Sequence, residues 1–145
     1  MTQATEQADF MIRCHQSVGS FNYRQAYLYE SLVDEEYREL KAAMAELRMA
    51  LKYPGARNIA DLTAEVVDAL VDIQYVCLGL GHSLGVDMDK SWDEVQRSNM
   101  SKVCDKTGKV QKHPETGKVQ KPVTFSPPDM LKVVRESWRD APYSE

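Results

Sequence analysis

The sequence predicts an all-α fold, a homo-oligomeric helical bundle of about four to five helices, and three observations carry that expectation. Apolar residues recur at helical spacing through two long segments, about 23–52 and 59–84. Those segments end at helix caps and breakers rather than at hairpin turns. No stretch reads as the core of a sheet. At 145 residues with 43% hydrophobic content, the chain can build one core, so a single domain over residues 1–145 is expected.

The first helix is expected over about 6–18, where Phe10, Met11, Cys14 and Val18 share a face before the break at GSFN. The second runs over about 23–52, with Leu28, Leu32, Leu40, Ala43, Leu47 and Leu51 repeating until YPG ends it. The third, over about 59–84, opens after Asn58 as a cap and closes at Gly85, and it is apolar on almost every side. SWDE, beginning at Ser91, has the pattern in which a serine and a glutamate cap a helix start reciprocally. It predicts a fourth helix to about Cys104, with Trp92, Val95 and Val103 marking the packed face. Next, TGKVQK occurs twice at a nine-residue offset among Gly, Pro and Lys, which reads as a loop or short hairpin. PPDMLKVVRESW supplies a proline start and places Met130, Leu131, Val134 and Trp138 on one face of a closing helix.

Composition narrows the function. A formal charge of -4 and a pI near 5.4 argue against holding nucleic acid by bulk electrostatics, which needs phosphate neutralisation by Lys and Arg. Cys14, Cys77 and Cys104 are odd in number, far apart and without a Cys-x-x-Cys pair, which fits a reduced cytoplasmic compartment. MTQATEQADF carries acids and no apolar run, and no stretch of about 18 apolar residues occurs, so neither secretion nor membrane association is expected. His15, His82 and His113 lack partners at metal-ligand spacing.

The acids are the anomaly. Asp61, Glu65, Asp68 and Asp72 share one side of the third helix, and on a helical wheel Glu36 and Glu39 fall within the apolar stripe of the second. Asp34, Arg38, Lys41 and Arg48 point the opposite way, where solubilising charges belong. Buried carboxylates repel one another and are costly to desolvate, and few basic residues lie on these faces. A hard divalent cation relieves that cost, and oxygen-only ligands suit Mg2+ or Mn2+ rather than zinc. On the fourth helix, Asn99 falls on the predicted packed stripe, with Lys102 and Arg97 near it, so an amide and a cation are expected to meet a phosphate chain.

EEYRE at 35–39 followed by EVVD at 65–68 resembles the EExxE and ExxD signature of the MazG-like nucleoside triphosphate pyrophosphohydrolases. That all-α superfamily includes dimeric deoxyuridine triphosphatases and phosphoribosyl-ATP pyrophosphohydrolases. The similarity extends through GVD, WDEVQRSNMSK, TGKV and KPVTFSPPDM, stretches that resemble a phage and bacterial branch. It implies that Glu36, Glu39, Glu65 and Asp68 hold Mg2+, or Mn2+, with Glu35 and Asp72 as candidates for a further metal or for orienting water. Glu35, if not a ligand, is a candidate base.

The family's short Asn and Lys pattern matches Asn99 and Lys102. The implied reaction is attack of water on the α-phosphorus of a nucleoside triphosphate, giving nucleoside monophosphate and pyrophosphate. The implied assembly is a homodimer or homotetramer, in the host cytoplasm if the chain is phage-encoded. The phage-like stretches point to purine deoxynucleotides, dATP and dGTP, as for the MazZ type, with Gln16 and Asn22, near His15 and Phe21, as candidate base contacts. Two alternatives stay open: a deoxyuridine triphosphatase of the same superfamily, and a non-catalytic helical module that dimerises or binds metal. A di-iron oxidoreductase is disfavoured because no acid is followed by His at the Glu-x-x-His spacing.

Overall fold

A computed structural model describes residues 1–55 and 57–139. It contains five helices, α1 (Gln3–Arg13), α2 (Tyr23–Lys52), α3 (Ile59–Ser83), α4 (Met88–Met100) and α5 (Met130–Arg139), and no strand longer than an isolated bridge among the described residues. The all-α expectation therefore holds. None of these helices is long and apolar enough to cross a membrane.

The two long helices begin where the sequence places them because asparagine caps both. Asn22 accepts the amide of Gln25 at 3.1 Å, and Asn58 accepts that of Ala60 at 2.8 Å. Joined by a short loop, α2 and α3 pack side by side along most of their lengths. Leu62, Val66 and Ala69 of α3 and Ala26 and Tyr29 of α2 form the buried seam. Gly79 is required there, since any Cβ at that position would run into the Tyr29 ring. Helix α1 rests mainly on α3, through Ala4, Gln7 and Met11, and α5 packs on α4.

Elsewhere the boundaries and faces shift. Helix α1 starts at Gln3, where Thr2 and Thr5 cap reciprocally, and stops at Arg13, short of Val18, as His15 turns the chain at φ 58°. The α4 cap is Asp87, which accepts the Lys90 amide at 3.0 Å. Ser91 lies one turn inside and donates back to the Asp87 carbonyl, so the predicted Ser91 cap is corrected. The packed face also differs from the expected one: Ser98 is buried at 3% exposure, whereas Trp92 and Val95 are 73% and 42% exposed. In α5, which Asp129 caps by accepting the Lys132 amide, Val133 is the buried residue and Leu131 is 58% exposed.

The repeated TGKVQK segment is a structural repeat. Gly108 and Gly117 each adopt positive φ, 63° and 68°, in turns closed by Val103 opposite Val110 and Lys112 opposite Val119. The C-terminal end of α3 is locked by its neighbours: the Trp138 indole donates to the Leu84 carbonyl at 3.0 Å, and Phe21 meets the Trp138 ring edge-on.

Candidate active site

Helix α2 brings Tyr29, Leu32, Glu36, Leu40, Ala43 and Leu47 to the side that faces α3, each buried or half-buried. Glu36 is thus a carboxylate in a seam otherwise lined by apolar side chains. Its Oε2 is buried and meets no hydrogen-bond partner. Burial pushes its pKa above the ordinary value of 4.5, and the nearby charges of Glu39, Asp72, Glu35 and Asp68 push it the same way. Two helices therefore bring five acids together near the middle of their seam, as the sequence predicts for these residues. Glu39 lies at the rim, exposed to solvent like Glu35, Asp68 and Asp72, rather than within the stripe.

Glu65 stands apart from that group. Arg57, in the loop between α2 and α3, donates to Glu65 at 3.0 Å and also pairs with Glu46. Few basic residues lie on these helix faces, as expected, but at Glu65 the neutralising cation comes from the loop instead. The loop cation reaches both helices, and all three side chains are about half-exposed. Asp61 is exposed one turn before Glu65.

Among the described residues, no three carboxylate, imidazole or thiol groups already enclose a point where a metal ion would sit. The chemistry of the donors nevertheless fits a hard cation: they are all carboxylate oxygens, and the Glu36 oxygen is buried with its bonding capacity unused.

The predicted substrate contacts are engaged within the chain. The Lys102 ammonium donates to the Asn99 carbonyl oxygen at 2.7 Å and lies 5.6 Å from the Phe125 ring centre. Asn99 is exposed, not packed, because Ser98 takes the interior position. Arg97 holds Glu94 by two hydrogen bonds, 2.9 and 2.7 Å, and donates to the Pro127 carbonyl at 3.0 Å. Glu94 also accepts the Asp129 amide at 2.7 Å, so this pair fixes the start of α5. Its Arg97 and Asp129 bonds hold the Glu94 pKa down at about 2. Gln16 accepts the Tyr29 hydroxyl at 2.8 Å, and Asn22, besides capping α2, donates to the Ser17 hydroxyl at 2.9 Å.

Two features escape the sequence reading. Arg57 is a cation in a short loop, and its pairing with two helices is a tertiary event with no local signature. Gln7 is the other: it is fully buried, and neither its oxygen nor its nitrogen finds a partner. The signal was present, because Ala4, Gln7 and Met11 fall at three- and four-residue spacing on one face of α1.

Among known families, the model described as phosphoribosyl-ATP pyrophosphohydrolase matches residues 13–99, more than half of the chain and all of α2 and α3. No curated protein matches the chain.

Proposed function

This chain belongs to the phosphoribosyl-ATP pyrophosphohydrolase family, within the MazG-like all-α superfamily, and on that premise we propose that it hydrolyses deoxynucleoside triphosphates to the monophosphate and pyrophosphate. The observation that carries the reading is Glu36, a carboxylate with a buried unpartnered oxygen amid Glu35, Glu39, Asp68 and Asp72. So costly an arrangement is retained where the acids have work to do.

Glu36, Glu39 and Asp68 would hold Mg2+ or Mn2+, with Asp72 beside them and Glu65 joining once it leaves Arg57. Bound there, such an ion supplies charge neutralisation for the phosphates and a lowered pKa for water. Glu35, next to Glu36 in sequence and open to solvent, takes the proton from the attacking water. The new bond forms between that water oxygen and the α-phosphorus, the α-to-β bridging bond breaks, and pyrophosphate carries away the electron pair. Asn99 and Lys102, already bonded to each other, present an amide and a cation together. Lys102 exchanges its Asn99 and Phe125 contacts for a phosphate oxygen.

Purine deoxynucleotides are the proposed substrates, on the resemblance of the SNMSKVCDKTGKV and PPDM stretches to phage-like members. A second reading, phosphoribosyl-ATP itself, is favoured by the family match, and deoxyuridine triphosphate is the rival within the wider superfamily. Pyrophosphate release from equal concentrations of dATP, dGTP, dTTP, dCTP, dUTP and phosphoribosyl-ATP, with Mg2+, separates them. The expected order places dATP and dGTP first. Preference for a pyrimidine or for phosphoribosyl-ATP overturns the substrate assignment, and no release from any of them overturns the reaction.

A further inference from the structure

Glu65 and Asp68 sit three residues apart on α3, a spacing that makes their side chains neighbours on one face of the helix. Their surroundings differ. The charge of Asp68 is among those that raise the Glu36 pKa, and that of Glu65 is not. Glu65 accepts instead from Arg57 Nη2 at 3.0 Å. The same guanidinium pairs through Nη1 with Glu46, seven residues beyond Glu39 on α2, so one cation is forked between the two helices that carry the acids. Arg57 immediately precedes Asn58, whose side chain caps α3 through the Ala60 amide, and that cap fixes where the guanidinium begins its reach.

An exposed ion pair of this kind contributes little to the fold, because water screens it and two long side chains must be ordered to make it. Its effect falls on Glu65. A guanidinium on that carboxylate neutralises the charge that a divalent cation would use and repels the cation as well. We propose that Arg57 is a positioning residue that sets the affinity of the acid cluster for a divalent cation by holding Glu65. The ion takes Glu65 from the guanidinium, which keeps Glu46 as its partner when Glu65 leaves. The metal-free chain therefore holds one ligand in reserve on a weak bond. The proposal rests on the metal-dependent reading above, and its test needs no turnover.

The test is calorimetric titration of the full chain with Mg2+ alone, at low salt where exposed charges are least screened. It compares the parent with Arg57→Gln and Arg57→Lys, and circular dichroism checks that each keeps its helices. Arg57→Gln is expected to bind Mg2+ about 1.5- to 5-fold more tightly, the range that release of an exposed ion pair supplies. Arg57→Lys should fall between that variant and the parent, because an ammonium keeps the charge but not the planar fork that serves two carboxylates. The gain should be absent when Glu65→Gln is already in place. Weaker Mg2+ binding by Arg57→Gln would make the guanidinium a support of the site rather than a competitor for Glu65, and it overturns the proposal. So do an unchanged affinity, a parent that binds no Mg2+, and a gain of equal size in the Glu65→Gln background, which traces the effect to the general field of the cation. If Arg57 sets Mg2+ affinity through Glu65 and no nucleotide releases pyrophosphate, the hydrolytic reading fails and this one stands. Mg2+-dependent pyrophosphate release, with equal Mg2+ affinity in the parent and Arg57→Gln, does the reverse.

Discussion

Replacing Glu36 by Gln should stabilise the metal-free chain. The substitution keeps the shape of the side chain, removes a charge whose Oε2 is buried without a partner, and relieves the repulsion from Glu35, Glu39, Asp68 and Asp72. Because the residue is half-buried rather than enclosed, its unmet oxygen costs near the low end of the ~1–3 kcal/mol range for unsatisfied groups. An amide regains only part of that, while each neighbouring acid adds a few tenths in its favour. The net is about 1 kcal/mol, or roughly 3 °C for a domain of this length.

Saturating Mg2+ reverses the order. An ion held at about 100 times its dissociation constant stabilises the parent by ~2.7 kcal/mol, and the variant, lacking a ligand, gains little. Melting curves of both proteins with EDTA and with Mg2+ read this crossing directly. A variant that melts below the parent in EDTA, or gains as much from Mg2+, refutes the reasoning that Glu36 is held against its own electrostatic cost for an ion.

Gly79→Ala should lose about 3 kcal/mol, or near 10 °C in melting temperature, because the new methyl occupies the place of the buried Tyr29 ring; an unchanged melt would contradict the close α2–α3 approach. Glu94 favours the fold when ionised, since its pKa is held at about 2 against an ordinary 4.5. That contribution is full above 4.5 and is lost as pH falls towards 2, so the parent's advantage over Glu94→Gln should vanish across that window in melts run at successive pH values. An advantage that persisted at pH 2 would place it in packing instead. Val67 and Val71 are 51% and 54% exposed on the side of α3 away from its buried seam. Light scattering at micromolar concentration is expected to give at least a dimer, and Val71→Glu a smaller species; a monomeric parent would count against this.

Much of this architecture is legible in the sequence for identifiable reasons. The extents of α2 and α3 follow from long apolar stripes closed by asparagine caps, signals that are local and agree with one another. The acid cluster is legible because Glu36 violates a stripe. Helix α4 is misread because two caps compete, Asp87 and Ser91, and the earlier one wins by offering its carboxylate to a first-turn amide. Its exposed face, with Trp92 and Val95, shows a second limit. Periodicity reveals that a face is apolar but not whether this chain covers it. The Arg57 bridge is a side-chain choice that only the assembled helices determine, whereas the pairing of Lys102 with Asn99 is local, three residues apart.

Hydrolysis in 18O-labelled water, with Mg2+ and dATP, tests the central claim most directly. Attack at the α-phosphorus places the label in deoxyadenosine monophosphate and leaves pyrophosphate unlabelled, and Glu36→Ala, Glu39→Ala and Asp68→Ala should each abolish both products while retaining helical content. Label in pyrophosphate, release of inorganic phosphate instead, or near-parental rates in two of those variants would contradict it.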